Sequence, residues 1–160
     1  MHTCSECGAS TRVLKGSYAY HESGLDNVTL NGIELIRCNA CGNEDPIIPK
    51  VNELRSVIAE ALISKPARLS GKELRYLRKF LEFNAREFSK IIHVNPSTLS
   101  KWENGEDPVG TQSDLVVRAL IAAKKEENFS ELVSKLEALD DERSALDIII
   151  NTQTNEFEYA

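Results

Sequence analysis

The chain has 160 residues, 41% hydrophobic and 28% charged, which fits one globular domain or two small ones. It contains no apolar run of the ~18 residues that a membrane-crossing helix needs. The net charge of −6 is uneven: residues 1–48 carry three basic and six acidic side chains, 49–105 eleven and six, and 106–160 five and thirteen. Contact with nucleic acid is therefore expected only in the basic middle, although a solvated helix surface would show the same excess.

All four cysteines lie in two matching knuckles, Cys4-Ser5-Glu6-Cys7-Gly8 and Cys38-Asn39-Ala40-Cys41-Gly42. Each C-x2-C turn delivers two thiolates from one short loop, and two such turns complete a tetrahedral zinc site. The glycine after each second cysteine permits a backbone conformation that a side chain would oppose. One structural zinc per chain, held by Cys4, Cys7, Cys38 and Cys41, is the expected cofactor, since the closed set leaves no ligand position open. Disulfides would require an oxidising compartment. The start, MHTCSECGAS, has no apolar signal region, so a cytoplasmic location is expected. A redox C-x-x-C is a further alternative, but one copy would suffice, and neither copy has a βαβ context.

Between the knuckles, residues 16–22 and 27–38 hold strand-like runs, with Val28, Leu30, Ile33, Leu35 and Ile36 as β-favouring positions. Asn31-Gly32 reads as a hairpin turn, and Gly24 with Asp26-Asn27 as another. So small a core cannot hold itself together by burial, so the metal would be its staple. Pro46 and Pro49 bracket Ile47-Ile48 as a linker.

Residues 50–64 turn helical, with Val51, Leu54, Ile58 and Ala61 on one face, and Lys65-Pro66 ends the helix. Ser70 and Glu73 form a capping box that opens a helix to about Leu81. Its inner stripe is Leu74, Leu77 and Leu81; Arg75, Arg78 and Lys79 lie elsewhere on its surface as phosphate candidates. Asn84 with Glu87 starts the next helix, with Phe88, Ile91 and Ile92 inward and Ser89 small enough for close crossing. It stops at His93-Val94. Asn95 then caps a helix with Pro96 at its first position and Gly105 at its end. Two short helices joined by so short a turn predict helix-turn-helix geometry.

On that last helix Leu99 and Trp102 point inward, while Ser97, Lys101 and Asn104 share the opposite face at i, i+4 and i+7. Hydroxyl, ammonium and amide groups there suit base edges and phosphates, with Asn95, Thr98 and Ser100 completing the surface. The Ser97 and Thr98 amides are placed to meet a phosphate. Any small helical bundle, however, has a polar outside. Thr111 with Asp114 is expected to cap a helix to about Lys125 whose Val116, Val117, Leu120 and Ile121 form a broad apolar side. That side is either a dimer seam or folds back within the monomer. Residues 129–139 read as a further helix through Leu132, Val133, Leu136 and Leu139. Residues 146–150 and 156–159 flank a polar stretch, forming a terminal hairpin or a strand for another chain.

The run Leu99-Ser100-Lys101-Trp102-Glu103-Asn104-Gly105, within residues 70–105, resembles the helix-turn-helix of phage-repressor-type regulators, sharing their S-x-W-E-x-G ending. With the two upstream C-x2-C-G knuckles, residues 1–125 resemble the MqsA/YgiT-type antitoxins. The expected fold is α+β in two domains. A small zinc-bound β domain (1–48) and a linker helix (49–69) precede an all-α repressor-like helix-turn-helix domain (70–125), and residues 126–160 add a helical and strand-like extension. The resemblance implies an antitoxin and transcriptional autorepressor. It would bind operator DNA as a homodimer, reading bases through Ser97 and Lys101, and a toxin through its zinc domain. The acidic 1–48 unit suits a basic toxin. A regulator of the same build without a toxin is the alternative. No enzyme is expected, because no catalytic set, phosphate loop or open metal site is visible and His2, His21 and His93 are scattered.

Overall fold

Apolar residues alternating between the knuckles produce strands, and the 3.6-residue periodicity beyond them produces helices. The computed structural model describes residues 3–124, 126, 129–139, 148–151 and 156–159. Strands β1 (Thr11–Ala19), β2 (Thr29–Cys38) and β3 (Glu44–Ile47) form an antiparallel sheet in the order β1-β2-β3. Six helices follow: α1 (Val51–Ser64), α2 (Gly71–Phe80), α3 (Ala85–Ile91), α4 (Pro96–Glu103), α5 (Thr111–Ala123) and α6 (Phe129–Glu137). The described chain closes on an antiparallel pair, β4 (Ile148–Asn151) and β5 (Glu156–Tyr159), which is the hairpin alternative for the tail.

Three sequence expectations for the sheet are corrected. The first strand is Thr11–Ala19 and not residues 16–22, because residues 20–22 turn into the loop. Asn31-Gly32 does not turn the chain. The register passes from Gly16↔Ile33 to Ser17↔Asn31, so Gly32 is an extra residue, a β-bulge at φ 73°. The turn between β1 and β2 is instead residues 20–28, with a 3-10 segment at His21–Ser23. Pro46 is not in a linker but in β3, opposite Leu35. An edge strand tolerates a residue that cannot donate to the ladder.

The helix signals act largely as read. Ser70 and Asn84 each close a capping box, with Glu73 and Glu87. Asn95 accepts from the Ser97 amide with Pro96 in the first helical turn. Helices α2, α3 and α4 end alike. The Glu82, His93 and Gly105 amides bond to Lys79, Lys90 and Trp102, and the next amides reach back to Arg78, Ser89 and Lys101. This is the Schellman pattern, with positive φ at Glu82 (66°), His93 (51°) and Gly105 (76°). Only the last is glycine, yet the stops expected near Leu81 and at His93-Val94 also fall where the sequence placed them.

Three helix details differ from expectation. Helix α1 buries Ile58, Ala59 and Leu62 while Ala61 is exposed, because its contact face is set by both α2 and α5. Thr111 and Asp114 do not cap α5: its N-cap is Gly110. Asp114 instead accepts from the Leu69 amide (2.6 Å) and Arg118. Arg118 donates to the Ile63, Lys65 and Ala67 carbonyls at 2.8 Å, serving the end of α1. Leu139, beyond the end of α6, is 62% exposed. The predicted end of α5 at Lys125 lies outside the described residues.

One apolar core joins α1 to α5, and Tyr20 and Leu25 from the β1–β2 loop belong to it. Val117, Leu120 and Ile121 sit inside this core at 0%, 1% and 7% exposure, and Val116 is half-buried. This corrects the dimer-seam assignment, since the apolar side of α5 is consumed within the chain. Helix α6 packs on α3 through Leu132, Val133 and Leu136, which are partly buried, and His93 Nε2 donates to the Leu136 carbonyl.

Trp102 ties α4 to the start of α2. A Cβ added to Gly71 would lie 1.9 Å from the Trp102 carbonyl oxygen, so the two backbones approach too closely for any side chain. Gly71→Ala is expected to cost about 1–3 kcal/mol of stability as an overpacking change. Trp102→Ala is expected to cost ~3–5 kcal/mol as a core truncation. Denaturant unfolding checks both, and a Trp102→Ala protein as stable as the parent would refute the inward packing.

Candidate functional site

The sheet brings the two knuckles together. Residues 4–9 and 38–43 form matching turns: the Cys4 amide bonds to the Ala9 carbonyl, and the Cys38 amide to the Asn43 carbonyl, both at 2.9 Å. Gly8 (φ 71°) and Gly42 (φ 75°) complete these turns in the left-handed region. The turns are tied to each other where the Asn39 amide donates to the Ser10 carbonyl (3.1 Å).

The sulfurs of Cys4, Cys7, Cys38 and Cys41 all lie within 4.8 Å of one another, close enough to hold a metal ion. Cys4–Cys41 is 3.7 Å and Cys7–Cys38 is 3.4 Å between sulfurs, and all four cysteines are free thiols. Four sulfurs about 2.3 Å from a tetrahedral ion stand roughly 3.8 Å apart, so the donor set fits. Cys4 and Cys38 are buried and Cys7 and Cys41 exposed. The amides of Cys41 and Ala40 point at the Cys38 sulfur and bring its pKa down to about 6. The Asn43 amide favours the Cys41 thiolate, but the Cys38 and Cys7 sulfurs oppose it more strongly, and Cys41 is pushed up to about 12. Thiolates this close cannot all be charged unless a cation shares their space.

The second candidate surface is the outer face of α4. Ser97, Ser100, Lys101 and Asn104 are exposed and Thr98 is half-buried, while Leu99, Trp102 and Glu103 are buried behind them. The side chain of Asn95 is exposed but committed: its Oδ1 accepts from the amide and the hydroxyl of Ser97, both at 2.9 Å. The Ser97 amide is therefore already bonded, which corrects its assignment as a free phosphate donor.

Arg78 is also corrected. It is 9% exposed and grips the Glu103 carboxylate with two nitrogens, at 2.7 and 3.0 Å, so it braces α4 from within. It also donates to the Phe83 carbonyl at 2.9 Å. Arg75 reaches Glu103 (3.1 Å) and Asn104 (2.9 Å), with 43% of its side chain exposed. Lys79 is exposed, as expected.

Two features escaped the sequence reading. Glu103 is a buried anion that joins α4 to α2, and its role becomes visible only once α2 and α4 are packed. Arg86 and Lys90 are exposed cations on α3. The i, i+4 spacing used for α4 would have placed them on one face. Comparison of the chain with protein-family models, curated proteins and solved structures finds no match.

Three buried carboxylates make stability depend on pH. Burial opposes ionisation of Glu103, but Arg78 and then Arg75 outweigh it and hold its pKa below the ordinary 4.5. Burial likewise opposes ionisation of Glu73, which Lys65, the Ser70 amide and Asn27 keep below 4.5. For Asp114, burial is outweighed by Arg118 and the Leu69 amide, which keep it below 3.8. All three are lowered, so their stabilisation is complete above the ordinary values and is lost as pH falls through the folded-state values. Urea midpoints measured downward from pH 7 are expected to stay level to about pH 5 and then fall. Glu103→Gln is expected to flatten part of that fall.

Proposed function

We propose that the chain is a DNA-binding antitoxin and transcriptional autorepressor, with one structural zinc in the four-cysteine centre. The supporting observation is the mounting of α4. Its inner residues are locked by the core and by Arg78–Glu103, while Lys101 is exposed on its outer face beside Ser100, whose hydroxyl accepts from the Asn104 side-chain amide. Residues 92–95 link it to α3, where Arg86 and Lys90 are exposed. A rigid helix with a hydroxyl and an ammonium outward, beside further cations, is suited to enter a major groove with phosphates alongside. In this reading Lys101 and Ser97 reach base edges, Asn104 and Ser100 border them, and Arg75, Lys79, Arg86 and Lys90 neutralise phosphate. Two chains reading a palindrome account for a homodimer, with its seam outside the buried side of α5.

Zinc bound by the four thiolates would act only as a closed staple. The sheet unit would bind the toxin. With three basic and six acidic side chains over residues 1–48, it attracts a basic partner by charge. This toxin assignment rests on the resemblance of the paired knuckles and repressor-like segment to antitoxins, together with that charge.

Metal analysis of freshly purified chain is expected to give about one zinc per monomer, and well under one would refute the zinc assignment. DNA from upstream of the chain's own gene is expected to bind more tightly than random DNA, with affinity falling steeply as salt rises. Lys101→Ala is expected to cost about 1–3 kcal/mol on that DNA and to relax base preference at one position. An equal loss on random DNA would make Lys101 a phosphate contact only, and no preference for the upstream DNA would refute the repressor reading. Operator binding with no basic protein partner from the adjacent gene would leave a regulator without a toxin.

A further inference from the structure

We infer that metal loading at the four-cysteine centre is relayed to helices α2 and α4 through the β1–β2 loop, residues 20–28. The inference rests on the reading of that centre as a zinc site. The sheet buries few apolar side chains of its own: Ile33 is 9% and Leu35 2% exposed. A unit with so small a core depends on its metal for folding. Yet its loop is not an appendage. Leu25, 1% exposed, and Tyr20, 9% exposed, lie in the same apolar core as Leu74 and Leu77 of α2.

Polar contacts fasten the same loop to the same helix. Asn27 Nδ2 donates to Glu73 Oε1 at 3.1 Å, and Lys72 pairs with Asp26 at 2.5 Å. Glu73 is 2% exposed and is the residue that closes the capping box at the start of α2. Helix α2 then holds α4 through Arg75 and Arg78 on Glu103. The path runs from knuckles to sheet to loop to α2 and through Glu103 to α4, with Tyr18 and Leu30, the strand residues flanking the loop, packed on the same core.

If the sheet loosens, Leu25 leaves a cavity in the helical core and Glu73 loses a hydrogen-bond donor. A metal that binds only the ordered sheet therefore stabilises everything that orders with it. The helices of this chain would respond to metal supply, although no helix contributes a ligand.

Trp102, the only tryptophan, is buried on α4 with its ring against Gly110 before α5, so its fluorescence reports the helices and not the cysteines. The full-length chain is unfolded thermally with Trp102 as the probe, first zinc-loaded and then after chelation, with released zinc measured in the same sample. The parent midpoint is expected to fall by more than ~3 °C when zinc leaves. In Leu25→Ala/Asn27→Ala, which leaves all four cysteines intact, it is expected to move by less than about 1 °C while the same zinc is released. Should that variant not fold, Asn27→Ala/Lys72→Ala, which removes only polar loop contacts, is expected to shrink the response at least by about half.

Zinc that is bound and released with no change in the parent's Trp102 midpoint overturns the relay and leaves the zinc reading standing. A loop variant that still responds in full also overturns it. A chain that binds no zinc overturns both.

Discussion

The buried carboxylate of Glu103 is the constraint on which the helical part of this molecule turns. A charge at 7% exposure is tolerable only if it is paired and fully hydrogen-bonded. Arg78 supplies a two-point grip and Arg75 a third bond, so the position of α4 relative to α2 is set by directional contacts and not by greasy packing alone. Arg78 also holds the Phe83 carbonyl in the turn between α2 and α3. One ion pair thus ties together α2, the α2–α3 turn and α4. Removing one partner of such a pair typically costs about 3–5 kcal/mol, because the other is left buried and uncompensated.

A second buried acid, Glu73, does comparable work on the opposite side of α2. It caps the helix, pairs with Lys65 after α1, and accepts from Asn27 of the β1–β2 loop. Asp114, on α5, fixes the chain before α2 through the Leu69 amide. Each acid has its partners arranged before α4 presents any side chain to solvent, and no buried side-chain nitrogen or oxygen among the described residues lacks a partner. This is why the exposed groups of α4 can be polar without softening the helix that carries them.

Local signals were legible wherever the physics is local. The capping boxes at Ser70 and Asn84 and the Asn95–Pro96 start were read from spacings of one to three residues, because cap bonds span no more than that. The knuckles were legible because metal geometry demands short C-x2-C turns. Asn31-Gly32 misled for a related reason: glycine at positive φ serves a bulge as well as a turn, and only the pairing of β1 with β2 distinguishes them. Arg78 misled because a basic residue on a predicted surface face gives no sign of the acid that will cover it. Val117, Leu120 and Ile121 misled because an apolar side does not say whether its cover is the same chain or another.

From the sequence alone came the helices, most of their ends, the long strand at Thr29–Cys38 and the set of four sulfurs, since each follows from periodicity, capping chemistry or ligand spacing. Tertiary structure alone decided which charges are buried, where the sheet's loop goes, and what covers the apolar side of α5. Those outcomes depend on contacts between residues 20 to 50 positions apart, such as Arg78 with Glu103 and Asn27 with Glu73. No periodicity along the chain records such contacts, because they arise only when separate elements share one core.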